Sequence, residues 1–200
     1  MSEHHDHSHA VVTEENSKKL MVALGLTTTF LIVEVVAAFI TQSLALLSDA
    51  AHMFTDVAAL AIALAAIKIG KKAADDKRTF GYQRFEILAA LFNAVMLFVV
   101  AIYIVYEAYQ RFTNPAEIQS VEMMIVAVIG LVVNLISMKI LSASAEGSLN
   151  IKGAYLEVLS DALGSIGVII GGIVIYFTQW MWVDTVIAVL IGFWVLPRTW

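Results

Sequence analysis

The chain contains no cysteine. Disulfides and thiolate metal sites are thereby excluded, and redox compartment is left unmarked. Charge is also scarce. Asp, Glu, Lys and Arg make up 14% of the 200 residues, against roughly 25% in a soluble domain. Lysine and arginine are missing from the middle of the apolar stretches, so acids there have no fixed cation to neutralise them. Histidine is nearly confined to the first ten residues; His52 is the single exception.

What fills the chain is apolar: 60% of residues are hydrophobic. They come in successive blocks of about 20, the length that crosses a bilayer as a helix. A barrel strand needs only about 10 residues with alternation, so helices are the spanning element here. The expected fold class is an all-α membrane protein, a bundle of six transmembrane helices. The spans are placed at about 20–40, 44–69, 85–109, 121–141, 151–177 and 182–197. The first block is too long for a signal-peptide core, carries Glu34, and has no small-residue cleavage site after it, so it is read as retained. Short connections make sequence neighbours antiparallel neighbours in space.

Basic residues orient the bundle. Lys18, Lys19, Lys68, Lys71, Lys72, Lys77, Arg78, Arg84, Lys139, Lys152 and Arg198 fall on one side of a six-span arrangement, and only Arg111 on the other. The positive-inside rule then puts both termini in the cytoplasm. Tyr103, Tyr106, Tyr109, Tyr176, Trp180 and Trp182 form an aromatic belt at the outer interface. Residues 1–17 are polar and expected to be a disordered cytoplasmic tail. Its His4, His5, His7 and His9 form a weak metal-collecting tract, or simply a flexible tail. Residues 18–200 are expected to form the six-helix transmembrane domain, and no soluble domain is seen after the sixth span.

Ionisable side chains at mid-bilayer are costly and mark function by default. Six stand out: Glu34 on helix 1, Asp49, His52 and Asp56 on helix 2, and Glu157 and Asp161 on helix 5. His52 and Asp56 are spaced i, i+4 and share one helix face, as do Glu157 and Asp161. Two helices, each presenting two ligands, can close four donors around one ion. Four is the tetrahedral number of zinc, here with one nitrogen and three oxygens. Three ionised carboxylates around a divalent ion carry far less net charge than the empty trianion. The empty site must therefore hold protons, and metal entry expels them. Such exchange, facing each side in turn, is antiport. Each group also has a plainer reading. A lone membrane histidine commonly hydrogen-bonds across helices, and a lone acid pairs with Ser, Thr or Asn. Asp49 and Glu34 are left open between water path, proton relay and helix packing. Asp184, near the start of helix 6, is read as a helix-end or packing acid.

The stretches "SLALLSDAAHMFTD" (from Ser43) and "SLNIKGAYLEVLSD" (from Ser148) align without gaps, with ligand positions coinciding. Paired binding helices from related halves are common in transporters. Gly167 and Gly171 on helix 5 have the spacing of a small-residue helix contact.

Together with "RTFGYQRFEILAALFNA" entering helix 3 and "WVDTVIAVLIGFWVLPRTW" on helix 6, these strings resemble the cation diffusion facilitator family, on its bacterial cobalt–zinc–cadmium resistance branch. The resemblance covers the whole chain. It implies a homodimeric, multi-pass exporter of the bacterial inner membrane that exchanges divalent metal for protons. His52, Asp56, Glu157 and Asp161 are the site residues it implies. Zn2+, and next Co2+ or Cd2+, are implied as transported substrate and H+ as counter-ion, with no permanent cofactor and no nucleic-acid partner. Many relatives have His where this chain has Glu157, which points to broader selectivity. The cytoplasmic domain that usually follows helix 6 and supports dimerisation is not in this sequence. An intramembrane metalloenzyme is the rival from another class, but the H-E-x-x-H pattern it calls for is missing. A metal-gated channel or metal-sensing membrane subunit is the alternative.

Overall fold

The computed structural model describes residues 14–70, 83–114, 116–145 and 149–195. The His4–His9 tract, most of the loop between the second and third spans and the last five residues lie outside these. Among the described residues there are six helices and no strand: α1 (Glu14–Thr41), α2 (Leu44–Gly70), α3 (Gln83–Thr113), α4 (Ser120–Ala145), α5 (Leu149–Thr178) and α6 (Trp182–Val195). Each apolar block is one helix, because lipid offers the backbone no other hydrogen-bond partner. α1, α3, α4 and α5 each contain a segment long and apolar enough to cross a membrane.

The helices overrun the apolar blocks. α3 has 31 residues, and α1 is already helical at Glu14, inside the segment 1–17 expected to be disordered. Extending an existing helix by a residue is cheap compared with starting one, so helices continue past the apolar stretch that nucleated them. At 1.5 Å per residue α1 is about 42 Å long, more than the roughly 30 Å hydrocarbon core.

α1, α2, α5 and α4 close into a ring, with α4 against α5 the most extensive contact and α2 against α5 the slimmest of the four seams. α3 and α6 flank α2 on its outer side. Two apolar clusters fill the ring at opposite ends. Leu20, Ala23, Leu141, Ile151 and Ala154 pack near the start of α1. Ala38, Leu46, Met123, Val168 and Ile175 pack near the α1–α2 turn. The periphery is apolar as well: Phe98, Val105, Phe177, Leu190 and Phe193 are exposed, a surface suited to lipid rather than water. All six aromatic residues expected at an interface are exposed, and Trp180 stacks on Trp182.

Two details set how closely the ring closes. Gly130 on α4 sits against the Phe30 ring, where a Cβ would collide with it. The Gly167–Gly171 pair does not act as a unit: nothing approaches Gly167, whereas Gly171 meets Ile187 of α6. The spacing puts both on one face of α5, but only at Gly171 does a neighbouring side chain come within reach.

Candidate metal centre

α2 and α5 run antiparallel, and one register brings their polar residues together. Asp49 lies against Gly164, where an added Cβ would be 2.9 Å from its Oδ1. One turn along, His52 Nε2 is 3.5 Å from Asp161 Oδ1 and 3.4 Å from Asp56 Oδ2. Another turn in the same register sets Asp56 level with Glu157. Gly164 therefore does more than fill space. It admits a carboxyl group where any larger residue would have to displace it, and so lets Asp49 sit between the helices in the register that aligns the next two layers.

His52, Asp56 and Asp161 each offer a donor atom, all within 4.8 Å of one another. His52 and Asp161 are buried and Asp56 is half-buried. The distances suit a small cation. Zinc bonds of about 2.0–2.2 Å put neighbouring ligands of a tetrahedron about 3.4 Å apart. Beside the cluster is a cavity of about 20 Å³, enough for one or two water-sized occupants and too small for an organic substrate. Thr27, Met53, Asp56, Glu157, Val158 and Asp161 line it. Its remaining walls include Ala23, Leu141 and Ala154, all toward the end of the bundle where α1 begins. The layer around Leu46 and Ile175 fills the opposite end.

The sequence-derived residues thus divide. Three of the four ligand candidates form the tight cluster, and Glu157 lines the same cavity, half-buried. Asp49 shares their stripe on α2 but sits a turn away, hydrogen-bonded to Glu34 of α1. Both carboxyl groups are buried, Glu34 at 1% exposure and Asp49 at 2%.

Asp184 is a packing acid, as expected from its place near a helix start. It is fully buried and accepts hydrogen bonds from Ser43 Oγ and from the Leu44 and Ala45 amides. Those amides are the unpaired donors at the start of α2. Arg111 Nη1, 3.3 Å away, completes the set and also donates to the Gln42 carbonyl. Gln42 is in the left-handed region, φ 57°, ending α1 and turning the chain into α2.

Sequence reasoning passed over α4. Met123, Ala127, Gly130, Asn134, Ser137 and Leu141 form a buried stripe at alternating three- and four-residue spacing. The signal was two polar residues on an otherwise apolar helical seam.

The cation efflux transmembrane domain family matches residues 20–200. The metal cation efflux system protein CzcD of Cupriavidus metallidurans is 64% identical over 98% of this chain and 61% of its own length. The cadmium, cobalt and zinc/H(+)-K(+) antiporter of Bacillus subtilis is 43% identical over 90% of this chain and 59% of its own length. The zinc transporter ZitB of Escherichia coli is 42% identical over 98% of this chain and 64% of its own length. The chain therefore spans about three-fifths of the length of the curated relatives it matches. A match over nearly all of its residues, on six helices with an intramembrane acid–histidine cluster, makes this chain a member of the cation efflux family, on the branch that includes these cobalt, zinc and cadmium transporters.

Proposed function

We propose that this chain is the transport domain of a proton-coupled antiporter that exports divalent cations, zinc first and then cobalt and cadmium, across the bacterial inner membrane. The observation that carries the reading is the His52–Asp56–Asp161 cluster, with His52 Nε2 to carboxylate distances of 3.4 and 3.5 Å. Glu157, on the wall of the same cavity, is the fourth ligand. The names of the relatives, a metal cation efflux protein and an antiporter of cadmium, cobalt and zinc, support both substrate and exchange.

The chemistry follows from the donor set. One imidazole and three carboxylates satisfy a divalent borderline cation and leave a net charge near −1. Without the cation, the carboxylates cannot all stay ionised side by side in a low dielectric, so protons take its place. Cation and protons exclude one another from the same oxygens, and that exclusion is the coupling. The cavity lies toward the end where α1 begins, the end that the basic residues assign to the cytoplasm. A cation enters there, and release on the other side requires the layer around Leu46 and Ile175 to part. Homodimerisation, and the 1–17 tail as a weak metal collector, belong to the same reading.

Zinc uptake into everted vesicles tests it. Asp56→Ala and Asp161→Ala abolish uptake while the protein still inserts; undiminished uptake in both would sink the site. In proteoliposomes, each cation that enters must release protons on the opposite course. Passive conductance without proton movement would point to a channel instead.

A further inference from the structure

Asn134 and Ser137 are fully buried on α4, at 0% exposure. The Asn134 amide oxygen and nitrogen and the Ser137 hydroxyl have no hydrogen-bond partner among the described residues. Buried polar groups are nearly always satisfied, and those that are not call for an explanation such as a water or an ion. Their neighbours make the omission more pointed. A serine on a helix can return its hydroxyl to a carbonyl one turn back, as Thr27 and Thr41 do here. Ser137 does not.

Packing contacts place the two residues along the bundle. α4 and α5 are antiparallel, with Met123 and Met124 against Gly172 at one end. Toward the other end, Leu141 shares an apolar cluster with Ala154. Between those points Asn134 comes level with Asp161, and Ser137 level with Val158. On the α1 side, Phe30 against Gly130 puts Ser137 at the height of Ala23. Val158 and Ala23 both line the cavity beside the acid–histidine cluster, and so does Asp161. Next to Asn134, Val133 packs on the cluster that contains Met53, another residue of the cavity wall. The buried stripe of α4 thus packs against α5 and α1 at the depth of the site, and Leu141, one turn beyond Ser137 on that stripe, lines the cavity itself.

We infer that Asn134 and Ser137 are part of the cation site, a third-helix contribution that holds the water carried in by a divalent cation. This rests on the reading of the α2–α5 cluster given above and extends it. An amide and a hydroxyl are neutral oxygen donors. They stabilise a hydrated divalent ion without adding to the negative charge that must be neutralised when the ion leaves. Placed level with Asp161 and Val158, they take up the water that the tight three-donor cluster displaces. In a chain whose fourth α2–α5 position is Glu157 rather than an imidazole, they also bias the site toward oxygen coordination.

The test is Zn2+ and Cd2+ binding by titration calorimetry on the purified chain in detergent, alongside melting in the presence of chelator. Asn134→Leu keeps the branched four-atom outline of the side chain and removes both polar atoms. It should weaken Zn2+ binding at least tenfold and leave the chelated protein melting as high as the original or higher, because an unsatisfied buried amide is gone. Affinity within twofold of the original overturns the inference. So does a fall in melting temperature with unchanged affinity, which would make Asn134 a helix–helix packing group. If Asn134→Leu fails to fold, Asn134→Asp decides: it keeps shape and an oxygen and should bind Zn2+ severalfold more tightly at pH 8, and unchanged affinity again overturns the inference. Asp161→Asn is the control. If it too binds normally, the α2–α5 site itself is wrong; if it alone loses binding, only the role of α4 is.

Discussion

Replacing Asp184 with asparagine should destabilise the fold far more than a one-atom change implies. Four donors converge on its two oxygens. Oδ1 accepts from Ser43 Oγ at 2.6 Å and from the Ala45 amide at 3.2 Å. Oδ2 accepts from the Leu44 amide at 2.6 Å and from Arg111 Nη1 at 3.3 Å. An asparagine keeps one oxygen and turns an NH2 toward the other two donors. Hydrogen bonds to a charged group contribute about 1.5–3 kcal/mol each, so losing two sets an upper bound of about 6 kcal/mol. Breaking a buried ion pair by removing one partner costs about 3–5 kcal/mol. Arg111 lowers this, because it retains the Gln42 carbonyl at 2.7 Å and Glu107 at 3.2 Å. The expectation is a loss of about 3 kcal/mol, between the 1 kcal/mol of an ordinary helix cap and the full buried-pair value. Denaturant unfolding in micelles, followed by ellipticity with chelator present, measures it without involving the cation site. Arg111→Met in the same background should recover part of the loss, since the stranded guanidinium goes with it. A loss below 1 kcal/mol, or strict additivity of the two changes, would refute the clasp between α6, α3 and the start of α2.

Gly164→Ala puts a Cβ 2.9 Å from Asp49 Oδ1, so the buried carboxyl group must turn away or the α2–α5 seam must open; a drop in both melting temperature and Zn2+ affinity is expected, and an unchanged affinity would show that the register tolerates the shift. Glu34→Gln should stay within about 1 kcal/mol of the original because its amide still donates to Asp49, whereas Glu34→Leu leaves Asp49 buried without that partner and costs about 1–3 kcal/mol in the same unfolding assay. Glu157→His gives the site a second imidazole and should shift the zinc-to-cadmium preference in vesicle uptake while retaining zinc binding; an unaltered preference would place selectivity elsewhere.

The helices were legible in the sequence almost to their ends, since a bilayer allows one backbone solution for an apolar block of that length. Polar pairs within one helix were legible for a similar reason: the 3.6-residue period decides that His52 meets Asp56. The start of α1 was less so, because its polar first turns carry no apolar signal and owe their shape to the helix that follows them.

Between helices, periodicity is silent. Asp49, His52 and Asp56 share a stripe, and nothing local tells which of them turns to α5 and which to α1. The packed structure decides it: Gly164 admits Asp49 beside α5, Glu34 takes its carboxyl group, and the register that results sets His52 against Asp161. The same holds for Asp184, whose partners lie some 140 residues away at the start of α2, and for Asn134, polar on an apolar seam. Composition and periodicity alone dictate that polar groups are trapped in an apolar solvent and must find partners. Only the tertiary structure chose the partners, because that choice depends on which small residues let two helices approach and at what height.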